Sequence, residues 1–319
     1  MPQPLPFGSF SSRQTRIRST IAVMLAIMTI TLTTPPASCA LVGDFTSFDV
    51  PGAVLTRAVD VNNSGVVVGF YNNQTGTHGF VLRQGQYTTV DYPGAMLTAV
   101  IGINDLGYLV GHFQTDEGVD HGFVFSNGVF RQIDFPGSIS TQCHGINKKG
   151  QIVGQYFNLE NPGQGGGQGL SHEHGFLFSG NSFTSIDFPN ADTTDAWKIS
   201  NDGDIVGDWT DNGTLNSGSL HGYVLHDDQY NSFDFPNALG TAGRDLNAKG
   251  QVVGVLYEKK CPLGFGHGFV LASGNYEGFD VPGSACTSAQ GINDSGAIVG
   301  TYVDGSGAQH GYVATLSQN

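Results

Sequence analysis

A chain of 319 residues with 27 acidic and 13 basic side chains carries a formal charge of −14. Such a surface repels phosphate backbones and anionic headgroups, which sets nucleic acid aside as a partner. Charged residues at 13% together with 47 glycines fit short strands joined by tight turns and exclude a largely helical protein.

The first 40 residues differ in character from the remainder of the chain. Arg13, Arg16 and Arg18 precede an uncharged stretch from Ile21 to about Thr34, then Pro35-Pro36 and Ala37-Ser38-Cys39-Ala40. A basic start, a short apolar segment and small residues at −3 and −1 read as a secretory signal peptide over residues 1–40, cleaved after Ala40. The apolar part is short of the roughly 20 residues that span a bilayer, so no membrane insertion is expected. The competing reading is lipoprotein cleavage before Cys39, although Pro36 stands where Leu or Ile is expected. Export removes three Arg and takes the charge from −14 to −17, and self-repulsion then keeps a secreted or periplasmic protein soluble as a monomer.

Residues 41–319 are predicted to form a single domain of six repeats. Each copy carries a His-Gly-aromatic triplet, beginning at His78, His121, His174, His221, His267 and His310. A period of roughly 45 residues marks an array of one supersecondary unit. Ahead of the first copy lies an unpartnered strand, Phe45 to Val50. The second copy serves as the template. It reads as a strand Val100–Asn104, a turn to Gly107, a strand Tyr108–Phe113 and a loop. A strand His121–Phe125, a turn Ser126–Gly128 and a strand Phe130–Phe135 complete it before Pro136-Gly137. Four antiparallel strands per unit of this length describe a β-propeller blade.

Two spacings recur. The triplet His stands 13 residues before an Asp in His78/Asp91, His121/Asp134, His174/Asp187, His221/Asp234 and His267/Asp280. With a turn midway the pair falls opposite on neighbouring strands, so a hydrogen-bonded staple is expected in every unit, not a metal or acid–base site. Each strand-ending Pro is followed five residues later by Thr, from Pro51/Thr56 to Pro282/Thr287. His310 has no downstream Asp, whereas Asp49 has no upstream His. The fold expected is therefore an all-β, six-bladed β-propeller of four-stranded antiparallel blades, its ring closed by the N-terminal strand on the last blade and His310 facing Asp49.

The pattern Gly-Ile-Asn-x-x-Gly-x-Ile-Val-Gly, then His-Gly-Phe, then Asp-Phe-Pro-Gly is visible in Gly291 to Gly300, His121 to Phe123 and Asp134 to Gly137. It resembles the extracellular HAF repeat family of bacteria across essentially all of residues 41–319. The resemblance implies a secreted bacterial protein of propeller-like fold and no particular activity.

In a propeller, loops leaving strands two and four share one face and the hairpin turns the other. The turn face is monotonous, Asn62–Gly65, Asn104–Gly107, Asn147–Gly150, Asn247–Gly250 and Asn293–Gly296, with Ser200–Gly203 deviating. The opposite face varies, with long stretches from Gly154 to His174, Gly207 to His221 and Gly254 to His267. Variable loops on a rigid scaffold are where binding usually lives; cheap tolerance of insertions is the plainer reading.

The residue three beyond the repeated Thr is Val59, Ile101, His144, Trp197, Arg244 and Gln290, and the residue one beyond is Arg57, Ala99, Gln142, Asp195, Ala242 and Ser288. Equal strand parity puts both sets on one face. His144, Asp195, Trp197, Arg244, Gln290 and Arg57 are accordingly the candidate ligand-binding residues, suited to a small polar ligand such as a sugar. Packing between blades is the competing account. Tyr71, Phe113, Tyr156, Trp209 and Tyr302 end the second strands, with Leu256 in the fifth copy; core filling outweighs a stacking platform there. Cys261 and Cys286 both reach the variable face and are expected to form a disulfide, leaving Cys143 as a small buried residue.

No enzyme motif occurs. His172-Glu173-His174 offers too few spare metal ligands, and Asp116, Glu117, Asp208 and Asp211 offer only weak Ca²⁺ ligands on a solvated surface. No cofactor, catalytic residue or metal site is assigned. A secreted binding module for glycans or a surface protein is the leading expectation. The alternatives are a propeller hydrolase or lyase using His144 and Arg244 at the channel mouth, and a structural exoprotein without a small-molecule site.

Overall fold

The computed structural model describes residues 42–159, 171–211, 220–258, 261 and 265–317. The expected signal peptide, residues 164–170 and the side chain of His172 lie outside them. Every regular element among the described residues is a strand, and none is a helix. β1 (Val42–Phe48) precedes the repeats. Unit one comprises β2 (Leu55–Val61), β3 (Val67–Asn73), β4 (Gly76–Arg83) and β5 (Gln86–Val90). Unit two comprises β6 (Leu97–Ile103), β7 (Leu109–Gln114), β8 (Asp120–Ser126) and β9 (Val129–Ile133). Unit three comes next as β10 (Ser140–Ile146), β11 (Ile152–Leu159), β12 (Ser171–Ser179) and β13 (Ser182–Ile186). Unit four has β14 (Thr193–Ile199), β15 (Ile205–Thr210), β16 (Leu220–His226) and β17 (Gln229–Phe233). Unit five has β18 (Gly240–Leu246), β19 (Val252–Tyr257), β20 (His267–Ala272) and β21 (Asn275–Phe279). Unit six has β22 (Cys286–Ile292), β23 (Ala297–Val303) and β24 (Gln309–Leu316).

Each of units one to five pairs as an antiparallel meander. Unit six draws its fourth strand from the start of the chain, because β1 pairs antiparallel with β24, Phe48 opposite Gly311. The aromatic of each triplet fills the centre of its unit: Phe80, Phe123, Phe176, Tyr223, Phe269 and Tyr312 are all fully buried. Burial of such a side chain contributes roughly 1.5–3 kcal/mol.

The two spacing rules acquire physical causes. The triplet Nδ1 lies 3.0 Å from Asp91, 3.0 Å from Asp134, 2.7 Å from Asp187, 2.9 Å from Asp234 and 2.8 Å from Asp280 in units one to five. In unit six His310 Nδ1 reaches Asp49 at 2.9 Å, joining residues 261 apart. The repeated Thr accepts the N–H of the residue before the Pro, as Tyr92 to Thr98 at 3.0 Å and Phe135 to Thr141 at 3.0 Å. That bond turns the chain out of the ladder, so the outer strands stop one or two residues earlier than the sequence suggests, β9 at Ile133 and not Phe135. The innermost strands start earlier too, β6 at Leu97, because Thr98 and Ala99 pair with Phe113 and His112.

The second-strand aromatics are packing elements, as expected. Tyr71, Phe113, Tyr156, Trp209 and Tyr302 each lie against their own triplet His with ring centroids 4.5–5.3 Å apart. Tyr92, Phe135 and Phe188 stack on the other side of Phe113, Tyr156 and Trp209, at 3.6, 3.6 and 4.2 Å. Cys261 and Cys286 form the disulfide, with Cα atoms 5.9 Å apart, and Cys143 is buried and free.

On the turn face the repeated Asn does two jobs. Asn104 Oδ1 accepts the N–H of Leu106 and of Tyr108, closing its own turn. Its Nδ2 donates to the Asn147 carbonyl of the next unit at 3.1 Å. The same donation runs Asn62 to Asn104, Asn147 to Ser200, Asn247 to Asn293 and Asn293 to Asn62. Ser200 closes its turn through Oγ but has no amide to pass on, so unit four does not donate to unit five.

Candidate functional site

Every innermost strand breaks register three residues beyond its Thr. The shifts fall between Ala58/Asp60, Val100/Gly102, Cys143/Gly145, Ala196/Lys198, Gly243/Asp245 and Ala289/Gly291. The extra residue at each bulge is Val59, Ile101, His144, Trp197, Arg244 or Gln290. The partner strand carries Gly opposite, because a Cβ on Gly69, Gly111 or Gly207 would come within 1.9 Å of the bulged strand's carbonyl. A bulge re-aims side chains, and all six extra residues line one cavity together with Asp60, Lys198 and Asp245. Four of the six candidate residues, His144, Trp197, Arg244 and Gln290, meet there. Asp195 adjoins His144, and Arg57 does not line the cavity. At about 10 Å³ the cavity admits a single water, so no sugar ring fits within it.

The bulge also corrects the parity argument. Because the extra residue resets alternation, the next position turns inward as well, which brings in Asp60, Lys198 and Asp245 where other units have Gly102, Gly145 and Gly291. Lys198 Nζ is bonded to Asp60 and lies 3.7 Å from Asp245. Burial raises the Asp245 carboxyl to about 7 despite Lys198. Burial opposes the charge on Lys198, yet the two carboxylates leave its pKa raised. The contrast of Asp, Lys and Gly at one repeat position is visible in the sequence and is the signal that finds this triad.

At the variable-loop end, units three to five hold a polar network. His144 stacks on Trp197 with centroids 4.2 Å apart, and the Arg244 guanidinium lies 3.9 Å from the Trp197 ring centroid. Trp197 Nε1 donates to Asp208 at 3.0 Å, Arg244 Nη1 is 3.3 Å from the same carboxylate, and Arg244 Nη2 donates to Tyr257 at 3.3 Å. His144 Nδ1 is 3.2 Å from Asp195, with side chains only 2% and 6% exposed. The Gln155 amide, oriented by its partners, donates to Asp195 at 2.7 Å and to Glu173 at 2.8 Å.

Asp195 and Asp208 stand directly opposite each other on β14 and β15. Like charges so placed repel, and burial with Asp195 nearby pushes Asp208 up to about 7 even though Arg244 and Trp197 favour its ionised form. Glu173 is pushed up to about 9, by burial first and then by Asp195 and Asp208. His112 falls to about 4 through burial and stays neutral near pH 7. Clustered perturbed groups at one end of a scaffold mark a candidate site.

His112, Gln155 and Asp208 share a repeat position, the residue after the second-strand Gly, which reads Phe70, His112, Gln155, Asp208, Val255 and Thr301. Each pairs across the sheet with the residue one beyond the Thr: Arg57 with Phe70, Gln142 with Gln155, Asp195 with Asp208. The same inter-repeat contrast that singles out the innermost strands marks this position too, and it would have added these three residues to the candidates. Glu173 stands immediately before its triplet His, a repeat position that reads Thr77, Asp120, Glu173, Leu220, Gly266 and Gln309, so the same contrast marks it as well. Among the described residues no group of three or more His, Cys, Asp or Glu side chains is arranged to hold a metal ion. No helix of the described residues is long and apolar enough to cross a membrane.

The sequence matches no family model and no curated protein. Among solved structures, a putative TolB from Agrobacterium tumefaciens is similar with a TM-score of 0.54 and 14% identity over 82% of this chain and 90% of that one. The β-propeller domain of the Trilobed protease from Pyrococcus furiosus gives 0.49 and 10%, covering 83% and 97%. An Aleuria aurantia lectin in complex with α-methyl-L-fucoside gives 0.48 and 11%, covering 86% and 96%. At 14% identity the likeness to the first shows the fold alone, a β-propeller, and the two weaker likenesses carry no argument.

Proposed function

We propose that the chain is a secreted binding module that recognises polar surface material, glycans first, across the variable-loop face over units three to five. The framework is read as a six-bladed ring closed by β1 on β24. That closure rests on the β1–β24 register, the His310–Asp49 bond and the Asn293–Asn62 bond, which join the last unit to the first. Export is supported by the N-terminal pattern and the disulfide, and the repeat motif keeps its resemblance to the HAF family.

One observation carries the binding reading. The Asp195–Asp208 pair, capped by Trp197 and Arg244, concentrates buried charge where the equivalent cross-strand pair of unit five is Ala242 with Val255. A fold that needed only packing would not retain opposed carboxylates there. Since the cavity has room for no more than one water, the ligand lies over the mouth, against the rims of Trp197, Arg244 and Tyr257. A glycan array with the purified protein tests this. Binding that falls at least ten-fold in Trp197→Ala supports it, and a blank array under conditions where the protein stays folded overturns it.

A hydrolase or lyase is the second reading, and Glu173 favours it. A carboxyl held protonated to about 9 can donate a proton as a general acid at neutral pH, and Gln155 links it to Asp195. His144 is a poorer acid/base than the sequence suggests, being sealed against Trp197. Turnover on a polysaccharide panel that is lost in Glu173→Gln would promote this reading over simple binding.

A further inference from the structure

Arg57 is the third residue of β2, the innermost strand of unit one, at its variable-loop end. Its Nε donates to Gln309 Oε1 at 2.9 Å. Its guanidinium carbon lies 5.7 Å from the Phe70 ring centroid and 5.1 Å from that of Phe265. The side chain is half-buried, yet no acidic group among the described residues pairs with it, and burial alone lowers its pKa. The other buried or half-buried cations differ: Lys198 has Asp60 and Asp245, and Arg244 has Asp208. Arg83 and Arg131, which also lack carboxylates, are exposed.

The fold does not require a cation here. Equivalent positions hold Ala99, Gln142, Asp195, Ala242 and Ser288, and the Ala-bearing units form the same four-stranded meander as the first. A desolvated guanidinium without a counter-charge costs stability, in a chain whose 27 acidic side chains supply counter-charges in abundance elsewhere. Contacts with two aromatic rings and the Gln309 bond fix its plane. With Nε occupied, the two terminal nitrogens form an edge that matches the two oxygens of an oxyanion.

We propose that Arg57 reads a single oxyanion, a carboxylate or a sulfate ester, on an otherwise neutral sugar ligand. The net charge, −14 for the whole chain and −17 once residues 1–40 are removed, selects for isolation of that group, because a polyanion would be repelled before reaching the site. The inference rests on the variable face being a sugar-binding surface, extends that surface beyond units three to five to Arg57 of unit one, and adds the chemical class of the group recognised.

Three probes of one skeleton type test it by calorimetry or NMR titration of the whole protein: methyl glucuronide, glucose 6-sulfate and methyl glucoside. The wild type is expected to bind at least one acidic probe about ten-fold more tightly than the glucoside, and which acid wins separates carboxylate from sulfate. Arg57→Gln is expected to abolish the preference, Arg57→Lys to leave a reduced one because a point charge lacks the bidentate edge, and Arg131→Gln to change nothing. Should Arg57→Gln fail to fold, the Arg57→Lys comparison decides. No acid preference in the wild type, or a preference that survives either Arg57 variant undiminished, overturns the inference. If neutral glycans still bind on the array and lose affinity in Trp197→Ala, the binding-face reading stands without it. If none of the three probes binds, the inference fails, and the array decides the face independently.

Discussion

The turn face and the variable-loop face of this propeller are built from the same innermost strands and obey opposite rules. On the turn face one residue type solves one problem repeatedly. Each Asn satisfies the amides of its own turn and clasps the next unit, so Asn62, Asn104, Asn147, Asn247 and Asn293 are interchangeable in role. At the variable-loop end, corresponding positions carry Arg57, Ala99, Gln142, Asp195, Ala242 and Ser288, and no two neighbouring units agree in chemistry. Repetition marks what the fold needs for cohesion, and departure from it marks what the fold does not need. Unit four departs most, in Asp195, Trp197, Lys198, Ser200 and Asp208.

The largest loss of stability is expected at the centre of a unit. Phe123→Ala removes a fully buried ring at the centre of unit two and is expected to cost about 3–5 kcal/mol in chemical denaturation. Asn104→Ala strands two turn amides and one carbonyl of the next unit, and about 2–4 kcal/mol should be lost, if the turn face is the cohesive one. A loss under about 0.5 kcal/mol would refute that assignment. Cys286→Ser should remove about 2–4 kcal/mol by freeing the unfolded chain, without altering the turn face.

The variable end should respond to pH in a way the turn face does not. The Glu173 carboxyl is pushed up to about 9, so the folded chain holds a proton that the unfolded chain releases near about 4.3. The resulting stability is fully present below the unfolded value and is lost as pH rises through the folded one. Glu173→Gln, which keeps the acceptor for Gln155, should therefore be more stable than the wild type at pH 9 and gain little at pH 4. Urea titrations at the two pH values check the difference, expected to be on the order of 1 kcal/mol or more. The smallest effect sharpens the contrast from the other side. Ser200→Asn restores the missing donor to unit five and should stabilise by about 1 kcal/mol. The clasp between the chain ends adds a second pH arm: burial opposes protonation of His310, but bonds to Asp49 and Asp304 leave its pKa raised. Its contribution is present below about 6.5 and declines as pH rises through the folded value, a decline that His310→Gln should abolish.

Much of the molecule is legible without coordinates because the repeats compare themselves. The 13-residue His–Asp spacing defines a hairpin register, and the Pro–Thr spacing marks a recurring bond whose atoms only the structure identifies. Asp49 without a His and His310 without an Asp point to the pairing of the two chain ends. The two spacings survive because they count residues within one hairpin or one turn, where local geometry is stiff, and the pairing of the ends follows from completing the same repeat.

What the chain order by itself determined was the unit, its staples and the positions free to vary. Tertiary structure decided which of those positions meet. A single extra residue in each innermost strand resets the alternation of side chains, so Asp60, Lys198 and Asp245 turn into a shared cavity against the parity of an unbroken strand. It likewise decided that Gln155 joins Asp195 to Glu173, since Asp195 belongs to the neighbouring unit and meets the other two only once the sheets are packed side by side. Sequence specifies a period; the angle at which neighbouring sheets face each other depends on the packing of all their side chains together.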